Sequence, residues 1–149
     1  MKCICYAVRG IAAAAVTEMN MRIHLAIAFY VVVSGLIVQL SAAEWMTVLI
    51  CIALVLSAEC INTAIENVCD ALHPEKSVLI GKAKDMSAGA VLVCSAAAAV
   101  VGGIIFFRAA RIRVLLNFFA GNKVLTALLL FSVAAWIYFI FARRKVNDD

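Results

Sequence analysis

Four long apolar runs, residues 23–40, 45–58, 86–107 and 124–142, dictate most of what this chain can fold into. At about 1.5 Å per residue in a helix, the first reaches roughly 27 Å, enough to cross a bilayer's hydrocarbon core. Lipid offers backbone groups no water, so such runs must satisfy their hydrogen bonds internally, as helices. Composition closes off the alternatives. Hydrophobic residues are 66% of the 149-residue chain and charged residues 15%, against roughly 45–50% and 25% in soluble domains. A water-soluble fold of this size could not hide that much apolar surface. The same numbers, with a single proline, exclude disordered and collagen-like chains. The expectation is an all-α integral membrane helical bundle.

The polar punctuation orders the runs. Residues 5–22 are alanine-rich and mildly amphipathic, with Arg9, Glu18, Asn20 and Arg22, and read as a helix lying on the membrane surface. The apolar stretch inside it, 11–16, is short and leads into Thr17 and Glu18, unlike a cleaved signal peptide. Ser41 to Trp45 reads as a turn, Trp45 suiting the lipid–water interface. The second run continues as helix to Asp70 or Ala71, where His73-Pro74 ends it. Residues 74–84 form a polar connection. The third run, 86–107, is rich in small residues that let helices approach closely in lipid. Gly121-Asn122-Lys123 precedes a fourth span. Its Phe131, Trp136, Tyr138, Phe139 and Phe141 are bulky, which suits a peripheral, lipid-facing helix.

The net charge is +4, but the charges cluster at the ends of apolar runs, a sign of membrane topology rather than nucleic-acid binding. With both termini cytoplasmic, the inner side holds Lys2, Arg9, Arg22, Lys76, Lys82, Lys84, Arg143, Arg144 and Lys145. The outer side then holds only Arg108, Arg111, Arg113 and Lys123, so positive charge favours this orientation. The 6 cysteines form no Cys-x-x-Cys pair and no zinc spacing, and read as small apolar fillers.

One segment is out of character for a membrane span: Glu59-Cys-Ile-Asn62-Thr63-Ala-Ile-Glu66-Asn67-Val-Cys-Asp70. On a helix turning about 100° per residue, Glu59, Asn62, Glu66 and Asp70 share a stripe roughly 80° wide and about 16 Å long. Carboxylates on a membrane helix are costly and need cations, partners or water. A helix end leaving the membrane explains Asp70, but not Glu59, which lies deep in the span. Glu18, Asn20, Arg22 and His24, where the surface helix meets the first span, fall on the same side, as do Lys84 and Asp85 before the third. Carboxylates converging from separate elements suit Mg²⁺, which favours oxygen ligands. A neighbouring lysine suits a polyphosphate. The combination reads as phosphoryl transfer with the deep carboxylate as base. There is no Walker-type or Gly-x-Gly-x-x-Gly loop.

Asn62-Thr-Ala-Ile-Glu66, preceded by Glu59 and followed by Asp70, resembles the signature of the small prokaryotic diacylglycerol kinases, a family that includes undecaprenol kinases. Glu18-Met-Asn20-Met-Arg22-Ile-His24, Glu44-Trp45 and Ala83-Lys84-Asp85 resemble the family in order and spacing. The Asn-Met-Arg-Ile-His and Asn-Thr-Ala-Ile-Glu forms look more like the undecaprenol kinase branch.

The resemblance implies a homotrimer, each subunit with a surface helix and three core spans, using MgATP to phosphorylate a membrane lipid's primary hydroxyl at the cytoplasmic face of the cell membrane. The lipid is diacylglycerol or undecaprenol. It implies Glu59 as general base, supported by Asn62, and Glu18 and Glu66 as Mg²⁺ ligands. Nucleotide contacts would come from Tyr6, Glu18, Glu66, Asp70, Glu75, Lys84 and Asp85. Arg22 and Glu59 would meet the lipid. It divides the chain into a family domain, 1–107, and a C-terminal extension, 108–149, carrying the additional span. A non-enzymatic membrane protein, such as an assembly factor or channel subunit, is the alternative. A channel would carry polar residues along a whole span, whereas residues 46–56 are apolar except Thr47.

Overall fold

A computed structural model describes residues 2–72 and 77–142. They form α1 (Lys2–Thr17), α2 (Met19–Ile37), α3 (Ala42–Leu72), α4 (Val78–Phe106), α5 (Ala109–Gly121) and α6 (Lys123–Ala142), with no strand among the described residues. The helices α2, α3, α4 and α6 are long and apolar enough to cross a membrane. The expected N-terminal helix and four candidate spans are all present as helices.

The surface helix ends earlier than its composition implies. Thr17 Oγ1 donates back to the Ala13 carbonyl at 3.1 Å, a local bond that competes with helix continuation. Glu18 then adopts an extended conformation (φ −98°, ψ 124°), and α2 starts at Met19 rather than at Ile23. Glu18's own backbone groups stay paired across the break: its N–H donates to Ala14 O at 2.9 Å, and its O accepts from Arg22 N–H at 3.3 Å.

At the far end of α2, Gln39 has a positive φ of 53°. Leu40 N–H reaches the Gly35 carbonyl at 3.1 Å and Gln39 N–H the Leu36 carbonyl at 3.4 Å, the paired bonds of a Schellman stop. Ser41 and Glu44 then open α3 as a capping box. Ser41 N–H donates to Glu44 Oε2 at 3.0 Å, and Glu44 N–H to Ser41 Oγ at 3.4 Å. Leu40 and the Trp45 ring fold over Gly35, where a Cβ would lie 2.9 Å from Trp45 Cη2 and 3.0 Å from Leu40 Cδ1. Leu40, Val48 and Ile105 form the buried apolar core, flanked by Val31, Trp45 and Phe106. This core sits at one end of the bundle.

The opposite end is polar. Helix α3 has 31 residues, about 46 Å of length against a hydrocarbon core of roughly 30 Å. Its C-terminal turns therefore carry Glu66 and Asp70 into the interface while Glu59 stays within the membrane. Helix α4 packs along α3 and starts at Val78, so Lys82 and Lys84 ride on a helix rather than in the expected polar connection. No glycine or proline pair follows Ser77 to delay that start. Helix α5 turns the chain back, and α6 lies against α2.

Candidate functional site

The polar stripe on α3 faces α2 and α4. Glu59 is 1% exposed, Asn62 7% and Thr63 6%. Burial of a carboxylate this complete in a membrane helix needs a reason in the neighbouring elements. From α2, His24 Nε2 approaches Glu59 Oε1 to 3.3 Å. The pair is out of line for a hydrogen bond, and Glu59 Oε1 and Thr63 Oγ1 are buried without a hydrogen-bond partner among the described residues. Glu66 lies on the same α3 stripe, and Glu18 sits at the junction of α1 and α2.

Asn62 ties the stripe to α4. Its Nδ2 donates to Glu66 Oε1 at 3.0 Å, one turn away on α3. Its Oδ1 accepts from Ser87 Oγ on α4 at 2.7 Å. The amide orientation is fixed by its partners, since only Nδ2 can donate to a carboxylate. Ser87 Oγ also lies 2.9 Å from the Lys84 carbonyl. Ser87 is 8% exposed. In the sequence it reads only as a small packing residue, and the available signal was its position one turn beyond Lys84.

Lys84 and Asp70 meet as an ion pair across α3 and α4. Asp70 is exposed, and exposed pairs contribute little stability, so Lys84 can exchange Asp70 for another anion cheaply. Asp85 is exposed on α4, and Tyr6 on α1 is 66% exposed; neither joins the polar network around Asn62. Glu75 lies outside the described residues.

Arg22 departs from the expected role. It is 3% exposed, and its guanidinium bonds two backbone carbonyls, Glu18 O through Nε at 3.3 Å and Phe139 O through Nη1 at 3.2 Å. Rather than facing a lipid, it is committed to its own helix start and to α6.

Among the described residues no three His, Cys, Asp or Glu side chains converge to hold a metal ion. Mg²⁺ fits nonetheless, because it is commonly bound through one or two carboxylates with phosphates and water completing the shell. Glu18 and Glu66, both half-buried, supply that number.

An apolar cavity of about 230 Å³ lies between α2, α3 and α4. His24, Val55 and Leu56 line it near Glu59, and Val48, Gly102 and Phe106 line it toward the apolar core. His24, which lines this cavity, is also the residue that approaches Glu59.

Comparison with known proteins follows the same division. The sequence pattern of prokaryotic diacylglycerol kinase matches residues 5–106. The chain is similar to an undecaprenol kinase of Bacillus subtilis, 39% identical over 105 residues, covering 70% of this chain and 85% of that protein. It is also similar to a diacylglycerol kinase of Synechocystis, 35% identical over 99 residues, covering 66% of this chain and 57% of that protein. No solved structure matches significantly. Residues 107–142, with α5 and α6, lie beyond the family match.

Proposed function

The chain belongs to the prokaryotic diacylglycerol kinase family, and from that premise we propose that it transfers the γ-phosphoryl group of ATP to the primary hydroxyl of a membrane polyprenol such as undecaprenol. Family membership makes it a membrane lipid kinase and removes the channel and assembly-factor alternatives. One observation carries the finer reading: Glu59, 1% exposed, lies 3.3 Å from His24, which lines an apolar cavity. A lipid alcohol seated with its chain in the cavity would bring its hydroxyl toward that carboxylate.

In this reading Glu59 accepts the hydroxyl proton as the lipid oxygen attacks the γ-phosphorus, and ADP departs. Glu18 and Glu66 would hold Mg²⁺, which would neutralise charge on the phosphates. Asn62 orients Glu66 through their 3.0 Å bond and is itself held by Ser87. Lys84 leaves Asp70 for a phosphate oxygen. Asp70, Asp85, Tyr6 and Glu75 complete the nucleotide contacts. The apolar faces left open on α3 and α4 pack in a homotrimer, and the site faces the cytoplasm, on the side of Arg9, Lys82 and Lys84.

One observation favours the polyprenol: the chain shows 39% identity to the undecaprenol kinase against 35% to the diacylglycerol kinase. The test is purified protein with MgATP and each lipid presented separately in mixed micelles. Faster phosphorylation of undecaprenol supports the proposal. Faster phosphorylation of diacylglycerol overturns the choice of lipid, and phosphorylation of neither overturns the reading.

A further inference from the structure

The extension beyond the family match does not lie loosely against the core; its polar contacts land on two residues of the family-like motifs. At the apolar end of the bundle, Arg111 of α5 donates through Nη2 to Glu44 Oε1 at 2.7 Å and through Nη1 to the Ile105 carbonyl at 2.6 Å. At the site end, Arg22 Nη1 donates to the Phe139 carbonyl at 3.2 Å, and its guanidinium lies 5.7 Å from the centre of the Phe139 ring. Between the two, Tyr30 Oη and Ser132 Oγ pair at 2.9 Å.

The chemistry of the Phe139 contact is specific. Phe139 lies on α6, so a buried arginine is fastened to this helix through a backbone carbonyl while the ring supplies a cation–π face. The same guanidinium reaches back through Nε to the Glu18 carbonyl at 3.3 Å. Arg22 therefore links α6 to the single extended residue that joins α1 to α2.

We propose that α5 and α6 form a clamp on the active site, in which Arg22 is a positioning residue that holds the Glu18 hinge in place. The clamp rests on reading Glu18 as a Mg²⁺ ligand. A planar fork spanning two carbonyls fixes direction as well as distance, which a lysine cannot do. The fourth span is then more than a membrane anchor, although its outer face is lipid-exposed as its bulky residues imply.

The test compares the full chain with a chain ending at Asn122 and with the full-length variants Arg22→Lys and Arg22→Met, which lose the two-carbonyl fork and stand in if the shortened chain does not fold. Two readouts are taken: hydrogen exchange of the 18–24 amides without nucleotide, and the Mg²⁺ concentration for half-maximal lipid phosphorylation. The clamp predicts faster exchange confined to 18–24 and a Mg²⁺ requirement raised about tenfold, the low end for losing an outer-shell support. Unchanged exchange at 18–24, or faster exchange with an unchanged Mg²⁺ requirement, overturns it. Glu18→Ala in the full chain separates the two readings. If that variant keeps the wild-type Mg²⁺ requirement, the ligand assignment has failed, and exchange alone decides whether the clamp exists.

Discussion

Replacing Glu59 by glutamine tests the chemistry at its most exposed assumption. The amide has the carboxylate's shape, so a residue that is 1% exposed can be exchanged without opening a cavity. What changes is proton affinity: an amide cannot take the lipid hydroxyl's proton. A positioned general base is worth about 10²–10⁴-fold in rate, or about 2.7–5.5 kcal/mol of barrier at 1.36 kcal/mol per decade. Nucleotide affinity has no such dependence, because the phosphates and their metal are assigned to Glu18, Glu66 and Lys84, closer to the aqueous end of α3. Turnover of Glu59→Gln should fall within that range while binding of a non-hydrolysable ATP analogue, measured calorimetrically in detergent, changes less than about threefold, under 1 kcal/mol. Burial predicts a second result. Glu59 Oε1 has no hydrogen-bond partner among the described residues and faces His24 at 3.3 Å. Removing a buried charge that lacks such a partner should leave thermal stability equal or higher. Turnover reduced less than about tenfold would refute the base assignment. Loss of analogue binding together with turnover would instead place Glu59 among the groups that hold the nucleotide.

Glu18→Ala and Glu66→Ala should each raise the Mg²⁺ needed for half-maximal activity; wild-type Mg²⁺ dependence in both would show that the ion is held elsewhere. Ser87→Ala removes the donor on Asn62 Oδ1, leaving a buried acceptor unpaired at a cost of about 1–3 kcal/mol. Its melting temperature in detergent should drop and its Mg²⁺ requirement rise, whereas Ser87→Thr should restore part of both. Gly35→Ala drives a methyl to within 2.9 Å of Trp45 and 3.0 Å of Leu40. Overpacking of about 1–3 kcal/mol should outweigh the roughly 1 kcal/mol gain in helix propensity. An unchanged or raised melting temperature would mean that the Trp45 ring swings away freely.

How much of this was legible in the chain divides along physical lines. The four spans follow from apolar length alone, a signal that no tertiary contact can reverse in lipid. The stripe of Glu59, Asn62, Glu66 and Asp70 was legible because helical period is fixed geometry. The contact of Lys84 with Asp70 needed only the side on which α4 opens. By contrast, the break at Glu18 has no glycine or proline to announce it. It is made by Thr17 turning onto Ala13 and by Arg22 holding the Glu18 carbonyl. Ser87 was invisible for a related reason. A serine in a small-residue helix looks like packing until its partner across the interface, Asn62, is known. Residues 109–121 carry three arginines nearby and a short apolar face, a pattern with no unique placement until Glu44 supplies the partner for Arg111.

The two ends of the bundle are held by different forces, and the difference bears on where a catalytic site can be built. At the Leu40–Trp45–Ile105 end, apolar side chains interlock over Gly35, and the turn is closed by backbone bonds and a capping box. Nothing there is left to satisfy. At the other end, Glu59 Oε1 and Thr63 Oγ1 are buried without hydrogen-bond partners among the described residues, an arrangement that costs stability in lipid. Such groups stay in place only if the surrounding helices are fixed by contacts elsewhere. The α3–α4 pairing and the apolar end provide that hold for α3 and α4. Helix α2 packs less extensively on α3 than α4 does, yet it follows directly on Glu18, where under the proposed function a carboxylate would have to be placed to within a fraction of an ångström to share a metal with Glu66. In this chain the guanidinium of Arg22, fastened to Phe139 on α6 and to Glu18 itself, supplies the restraint that α2 lacks. The family match stops at residue 106, but on this reading the supports of the site do not.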